Sequence, residues 1–158
     1  MRRLGLMVVI AAFAALALNV AVGASGASAA TSCVKINKVY YDSPGADTGS
    51  NASLNDEWVR LRSACNTTKD LLNFQVKDGA GNTYTFSSSF MLPVDGRVKI
   101  HSGKGTNTAT NRYWGRTTYV WGNTKDTVKL YDATHYIVQS CAYNSSAVNS
   151  KTCTSTYL

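Results

Sequence analysis

The sequence holds little of what most enzymes and metal proteins depend on. It has four cysteines in 158 residues but no C-x-x-C pair, which argues against a structural zinc site. Its only histidines are His101 and His135, and neither sits with a serine or cysteine nucleophile in a recognisable local motif. Acidic residues number 9 against 16 basic ones, and no two of them stand out as the carboxylate pair of a glycoside hydrolase. Beyond residue 29 no run carries the 3.6-residue apolar period of a helix, which argues against a helical domain. The reading is therefore of a protein without catalytic residues, resident metal or cofactor.

The one long apolar run is at the start. Met1-Arg2-Arg3 leads into an almost uncharged stretch from Leu4 to Val22 and then into small residues from Gly23 to Ala30. That is the layout of a secretory signal peptide over residues 1–29, with Ala27-Ser28-Ala29 as the cleavage site. The alternative is a retained membrane anchor, since about 18 apolar residues suffice to span a bilayer. Asn19 interrupts the run and no basic stop-transfer cluster follows, so cleavage and export are expected, with no membrane span in the mature chain. Leu4-Gly5-Leu6 after the arginine pair makes only a weak match to a twin-arginine signal. Cleavage leaves about 129 residues, one domain's worth of core. Losing Arg2 and Arg3 lowers the net charge from +7 to +5, a surplus that suits acidic partners and also serves solubility.

Short alternating segments between turn signals fill the rest. Val34, Ile36, Val39 and Tyr41 mark one strand, with a bulge near Lys38. Val59 and Leu61 mark a second, Leu72, Phe74 and Val76 a third, and Thr83 to Phe86 a fourth. Val98 and Ile100 follow, then Tyr119 to Trp121, Val128 to Tyr131 and Tyr136 to Ala142. Asp78-Gly79-Ala80-Gly81-Asn82 and Pro93-Val94-Asp95-Gly96 read as turns. Seven to eight such strands suit an all-β fold of two antiparallel sheets packed as a sandwich. The domain is expected over residues 30–143, followed by a Ser/Asn/Thr-rich tail over 144–158 held at Cys153.

An even number of cysteines in an exported chain reads as disulfides. If Val34 to Tyr41 and Glu57 to Ala64 form one hairpin with Tyr41 opposite Glu57, counting outward sets Cys33 opposite Cys65. Opposed Cβ atoms lie within about 5.5 Å, which a disulfide spans. Cys141 then pairs with Cys153, although a one-residue slip in register would undo the count.

Three stretches carry a family resemblance. The first is the run from Tyr41 through Asp42-Ser43-Pro44-Gly45-Ala46-Asp47 and Asn55-Asp56-Glu57-Trp58 to Val59, and the second is Leu92-Pro93 before Gly96. The third runs from Asn111-Arg112-Tyr113 through Tyr119-Val120-Trp121-Gly122-Asn123 to Asp126-Thr127-Val128-Lys129-Leu130. In this order, from about Val34 to Tyr143, the chain resembles the lamin tail domain in its secreted bacterial form. The resemblance implies an immunoglobulin-like sandwich and a non-catalytic interaction module, with nucleic-acid, membrane or protein contacts. The four cysteines and the Cys65-Asn66-Thr67-Thr68-Lys69 turn depart from the family pattern.

Two loops are candidates for binding. Asp42, Asp47, Asn51, Asn55, Asp56 and Glu57 crowd oxygen ligands into the first, as calcium requires, although the spacing is not that of an EF-hand. The same residue types also form turns. The loop from Ser102 to Thr118 sets Lys104, Arg112 and Arg116 beside Tyr113 and Trp114. Cations among aromatics neutralise phosphates and stack bases or sugars, and they equally cover a sandwich edge. Ser102-Gly103-Lys104-Gly105-Thr106 lacks the upstream glycine of a phosphate loop. Asn51, Asn66 and Asn144 begin glycosylation acceptor triplets, of use only in a eukaryotic secretory pathway. The expected function is a secreted binding module for an extracellular protein or an anionic polymer, with nucleic acid as the alternative and a small hydrolase or inhibitor behind it.

Overall fold

A computed structural model describes residues 32–154; the expected leader over residues 1–29 lies outside them. In chain order the elements are β1 (Val34–Tyr40), α1 (Asn51–Asp56), β2 (Trp58–Ser63), β3 (Lys69–Asp70), β4 (Gln75–Lys77) and β5 (Thr83–Thr85). β6 (Met91–Leu92), β7 (Arg97–His101), β8 (Asn111–Tyr113), β9 (Lys125–Tyr131), β10 (Ile137–Asn144) and β11 (Ser150–Thr152) follow. One sheet has the order β11-β1-β2-β7-β8, a second β10-β9-β4-β5, and β3 and β6 form a two-stranded ribbon.

The period-2 alternation read from the sequence is what closes the sandwich. Val34, Ile36, Val39, Val59, Leu61, Val98 and Ile100 turn one sheet's apolar face inward, and Val76, Val128 and Leu130 do the same from the other; each is almost fully buried. Tyr41 and Tyr143 stack face to face in this core with centroids 3.9 Å apart. The fold is therefore an all-β, immunoglobulin-like sandwich stapled by two disulfides.

The bulge in β1 governs both pairing and satisfaction of the main chain. Register shifts between Ile36 and Lys38, so Tyr40 faces Trp58 while Ile36 faces Leu61. Cys33 thereby slips by one residue from the position that simple counting gives it: Ala64 N–H donates to the Cys33 carbonyl at 2.8 Å. The Cys33–Cys65 bond still closes, because its Cα atoms are 4.9 Å apart. Cys141 of β10 bonds to Cys153 just past β11, tying the two sheets together. β11 pairs with β1 only over Lys38–Tyr40, and Ile36 is served instead from the opposite sheet. Its N–H donates to Gln139 Oε1 at 2.6 Å and its carbonyl accepts from Gln139 Nε2 at 3.3 Å. Removing that amide leaves two buried main-chain groups without partners. Gln139→Leu is expected to cost about 2 kcal/mol, read as a lower denaturant midpoint at constant m; an unchanged midpoint would mean that water replaces the amide.

Several sequence expectations need correction. Among the described residues eleven strands form rather than seven or eight, and β8 runs parallel to β7 in a stretch expected to be polar loop. The inward residue before β4 is Leu71, fully buried, while Leu72 is 39% exposed, because the chain turns through Asn73 at φ 64°. Tyr119 to Trp121 is not a strand; Val120 and Trp121 instead plug the core from a connection. One short helix does form: Ser50 caps α1 by accepting from Ser53 N–H at 3.2 Å, and six residues are too few to display a helical period. The tail is held by more than Cys153. β11 pairs with β1, and the Tyr41 hydroxyl sits on the carbonyls of Ser145, at 3.0 Å, and Val148. Tyr41→Phe is expected to lower stability by about 1 kcal/mol, with chemical unfolding as the check.

Candidate functional site

The strand register builds a surface that no single segment reveals. Alternation buries Val34, Ile36, Val39, Val59, Leu61, Val98 and Ile100 and sends their neighbours to the outer face of the five-stranded sheet. There, Lys35, Arg62 and Arg97 stand opposite one another on β1, β2 and β7, and Lys38, Arg60 and Lys99 form a second row. Next to them runs an aromatic row of Tyr40, Trp58, His101 and Tyr113. Six basic residues thus share one face. Like charges directly opposite in a sheet are destabilising, by about 1 kcal/mol per pair at 5 Å in water.

The aromatic row holds the adjacent cation row, Lys38, Arg60 and Lys99, in place. Lys99 Nζ lies 4.5 Å from the Trp58 centroid and the Arg60 guanidinium 5.7 Å from it, while Lys38 Nζ is 5.8 Å from Tyr40. Arg60 Nε also donates to Asn37 Oδ1 at 2.7 Å. Tyr40 stacks on Trp58 at 5.5 Å and His101 on Tyr113 at 5.0 Å. Burial and the nearby Arg97 pull the Arg60 pKa below the ordinary arginine value, the direction expected of crowded cations. Arg62 pairs with Asp95 at 2.7 Å, and Lys38, Arg60, Arg97 and Lys99 meet no carboxylate at ion-pair distance among the described residues. Arg60, Arg97, Lys99, Thr110 and Asn111 surround a concavity of about 330 Å³.

The five loop residues expected to bind do not gather into one surface; of them only Lys104 and Arg116 share a hollow. Arg112 points inward from β8, its guanidinium 5.0 Å from the Phe90 ring and its Nε 3.4 Å from the Tyr84 hydroxyl. Trp114 packs edge-on against Tyr84 and Trp121. Tyr113 joins the outer face through His101. Lys104 and Arg116 line a separate hollow beside α1 with Gly49, Asn51 and Leu54. Missing from the sequence reading were Lys38, Arg60, Arg97 and Lys99. Arg60 and Arg62 were visible as the outward residues of a strand, but matching them to Lys99 and Arg97 requires the register.

In the oxygen-rich first loop Asp47, Asn51 and Asn55 bond to other groups of the protein. Asp47 accepts from Ser43 Oγ at 3.0 Å and Asn123 Nδ2 at 2.8 Å. Asn51 and Asn55 each donate to the Lys104 carbonyl at 2.9 Å. Among the described residues no group of three or more His, Cys, Asp or Glu side chains is arranged to hold a metal ion. Glu57 is the exception in kind, a fully buried carboxyl. Its Oε2 accepts from Val120 N–H at 3.0 Å and its carbonyl from Ser102 N–H at 3.1 Å, so it clips both ends of the long loop to the start of β2. Burial pushes its pKa up to about 7, against the opposing pull of the Val120 amide, Ser102 Oγ and the Trp121 amide.

No helix among the described residues is long and apolar enough to cross a membrane. No curated protein matches the chain. A family model, the Lamin Tail Domain, matches residues 27–145, a span that takes in the β1-α1-β2 unit, both rows of cations and everything through β10. The chain therefore belongs to the lamin tail domain family, a group of non-catalytic, immunoglobulin-like interaction modules.

Proposed function

We propose that the mature domain is an exported binding module that holds an anionic polymer on the outer face of its five-stranded sheet. The observation that carries this reading is the pair of cross-strand cation rows, Lys35-Arg62-Arg97 and Lys38-Arg60-Lys99, in which Arg62 is paired with Asp95. A polyanion relieves the repulsion between the rows and releases its own condensed counterions, so binding gains on both sides. The cations run across β1, β2 and β7, the extent of a polymer site. The disulfides suit an oxidising compartment, and they support export together with the leader.

The test is salt. Affinity for a single-stranded oligonucleotide, used as a probe polyanion, is expected to fall linearly in log-log form with a slope of about −3 to −4, as five phosphate contacts would give. No retention on the immobilised probe at low salt would overturn the reading.

A further inference from the structure

We propose that the concavity between β2, β7 and β8, formed by Arg60, Arg97 and Lys99 with Thr110 and Asn111, seats one phosphate of a phosphodiester polymer and reads no base. This rests on the reading of the sheet face as a polyanion site and adds the chemical class of the ligand.

Two observations lead to it. The first is convergence. Arg60 and Lys99 are directly opposed, Lys99 is next to Asn111 across the parallel β7-β8 pair, and Arg97 is two residues from Lys99 on the same strand. Three cations with a hydroxyl and an amide at the rim offer donors from several directions, as a tetrahedral phosphate accepts them. A planar carboxylate is served by one guanidinium fork. Arg60 is already fixed by Asn37 and Trp58, so little side-chain entropy is lost when the anion arrives.

The second is where the aromatic faces are spent. Trp58 has Tyr40 stacked on it and Lys99 over its ring, and the His101 and Tyr113 rings stack on each other. Proteins that read single strands through bases offer open aromatic faces; here the rings position cations instead. A nucleic acid and a polyol-phosphate wall polymer therefore present the same thing to this site, a run of phosphodiesters.

The experiment measures mature protein at one low salt concentration against four probes of matched charge: a single-stranded oligonucleotide, its abasic counterpart, poly(glycerol phosphate) and polyglutamate. The three phosphodiester probes are expected to bind within about threefold of one another, with polyglutamate at least tenfold weaker. Arg97→Ala, an exposed residue whose loss leaves the core untouched, is expected to weaken the phosphodiester probes about tenfold and to erase most of the margin over polyglutamate. An abasic probe more than tenfold weaker than its parent would show base stacking and overturn the inference. Polyglutamate binding as tightly as the phosphodiesters would also overturn it while leaving the polyanion face intact. Failure of all four probes would remove the underlying reading as well.

Discussion

Glu57→Gln is expected to leave the domain about 3 kcal/mol more stable than the parent at pH 8 and almost equal to it at pH 4. Burial raises the Glu57 pKa from 4.5 to about 7 in the folded state, so between those values the native chain binds a proton that the unfolded chain has released. Stability then falls as pH rises across this window, by about 1.4 kcal/mol per pH unit, and is level above it. Glutamine keeps an acceptor for the Val120 amide and has nothing to ionise, so its stability profile should be flat where the parent's slopes. Asp70 and Asp132 act in the opposite direction. Amides of Leu72 and Phe90 hold the Asp70 carboxyl below its ordinary range. Burial works against the same shift at Asp132, where hydrogen bonds from Thr134 and Tyr136 prevail. Their contribution is present above the ordinary aspartate pKa and is lost as pH falls through the lowered values, below about pH 4. Urea unfolding of both proteins from pH 4 to 8 separates the two effects. Parallel profiles would show that Glu57 is ionised in the folded state at no cost.

The double reversal Arg60→Glu/Lys99→Glu is expected to reduce affinity for an oligonucleotide at least 100-fold at low salt and to make the salt slope shallower by 1 to 2. Each lost phosphate contact removes about 0.7 from a single-strand slope, and the two new carboxylates repel the strand in addition. Lys77→Glu/Lys129→Glu, a cross-strand pair on the four-stranded sheet, changes net charge by the same amount and serves as control. It should lower affinity only a few-fold, through the general field. Melting temperatures of both variants guard against unfolding; the reversal on the proposed face sets a carboxylate opposite Lys38 and leaves like charges facing at positions 60 and 99, as before. Equal losses in the two variants would mean that net charge alone drives the interaction.

How far the sequence discloses this protein depends on the range of the signal. Alternation within a segment is local, so Val59 and Leu61 or Val128 and Leu130 announce their inward face directly. The turns at Asp78 to Asn82 and Pro93 to Gly96 are legible for the same reason, and both close as hydrogen-bonded reversals. Register is not local. The bulge after Ile36 is legible in the three-residue step from Ile36 to Val39, but its effect on pairing is not: it displaces Cys33 relative to Cys65, and the disulfide closes only because Cys65 remains within reach. β8 and β11 escape notice because they are three-residue strands built from Asn, Arg, Tyr, Ser, Lys and Thr, whose pairing is imposed by neighbours rather than by propensity. Of the cations clustered in sequence at Lys104, Arg112 and Arg116, Arg112 turns away to Phe90 and Tyr84 while the other two stay together beside α1. Those scattered from Lys35 to Lys99 assemble, because three strands bring them to one face. A charged surface built by sheet register is therefore the part of the proposed site that a linear reading misses.

The most direct test is chemical-shift mapping of the 15N-labelled mature protein titrated with a single-stranded oligonucleotide. Binding on the cation rows would move the amides of residues 35–40, 58–62, 97–101 and 111–113 together with the Trp58 indole, leaving the buried Trp121 indole unmoved. Shifts centred on Lys104 and Arg116, or on the four-stranded sheet, with those segments silent, would contradict it.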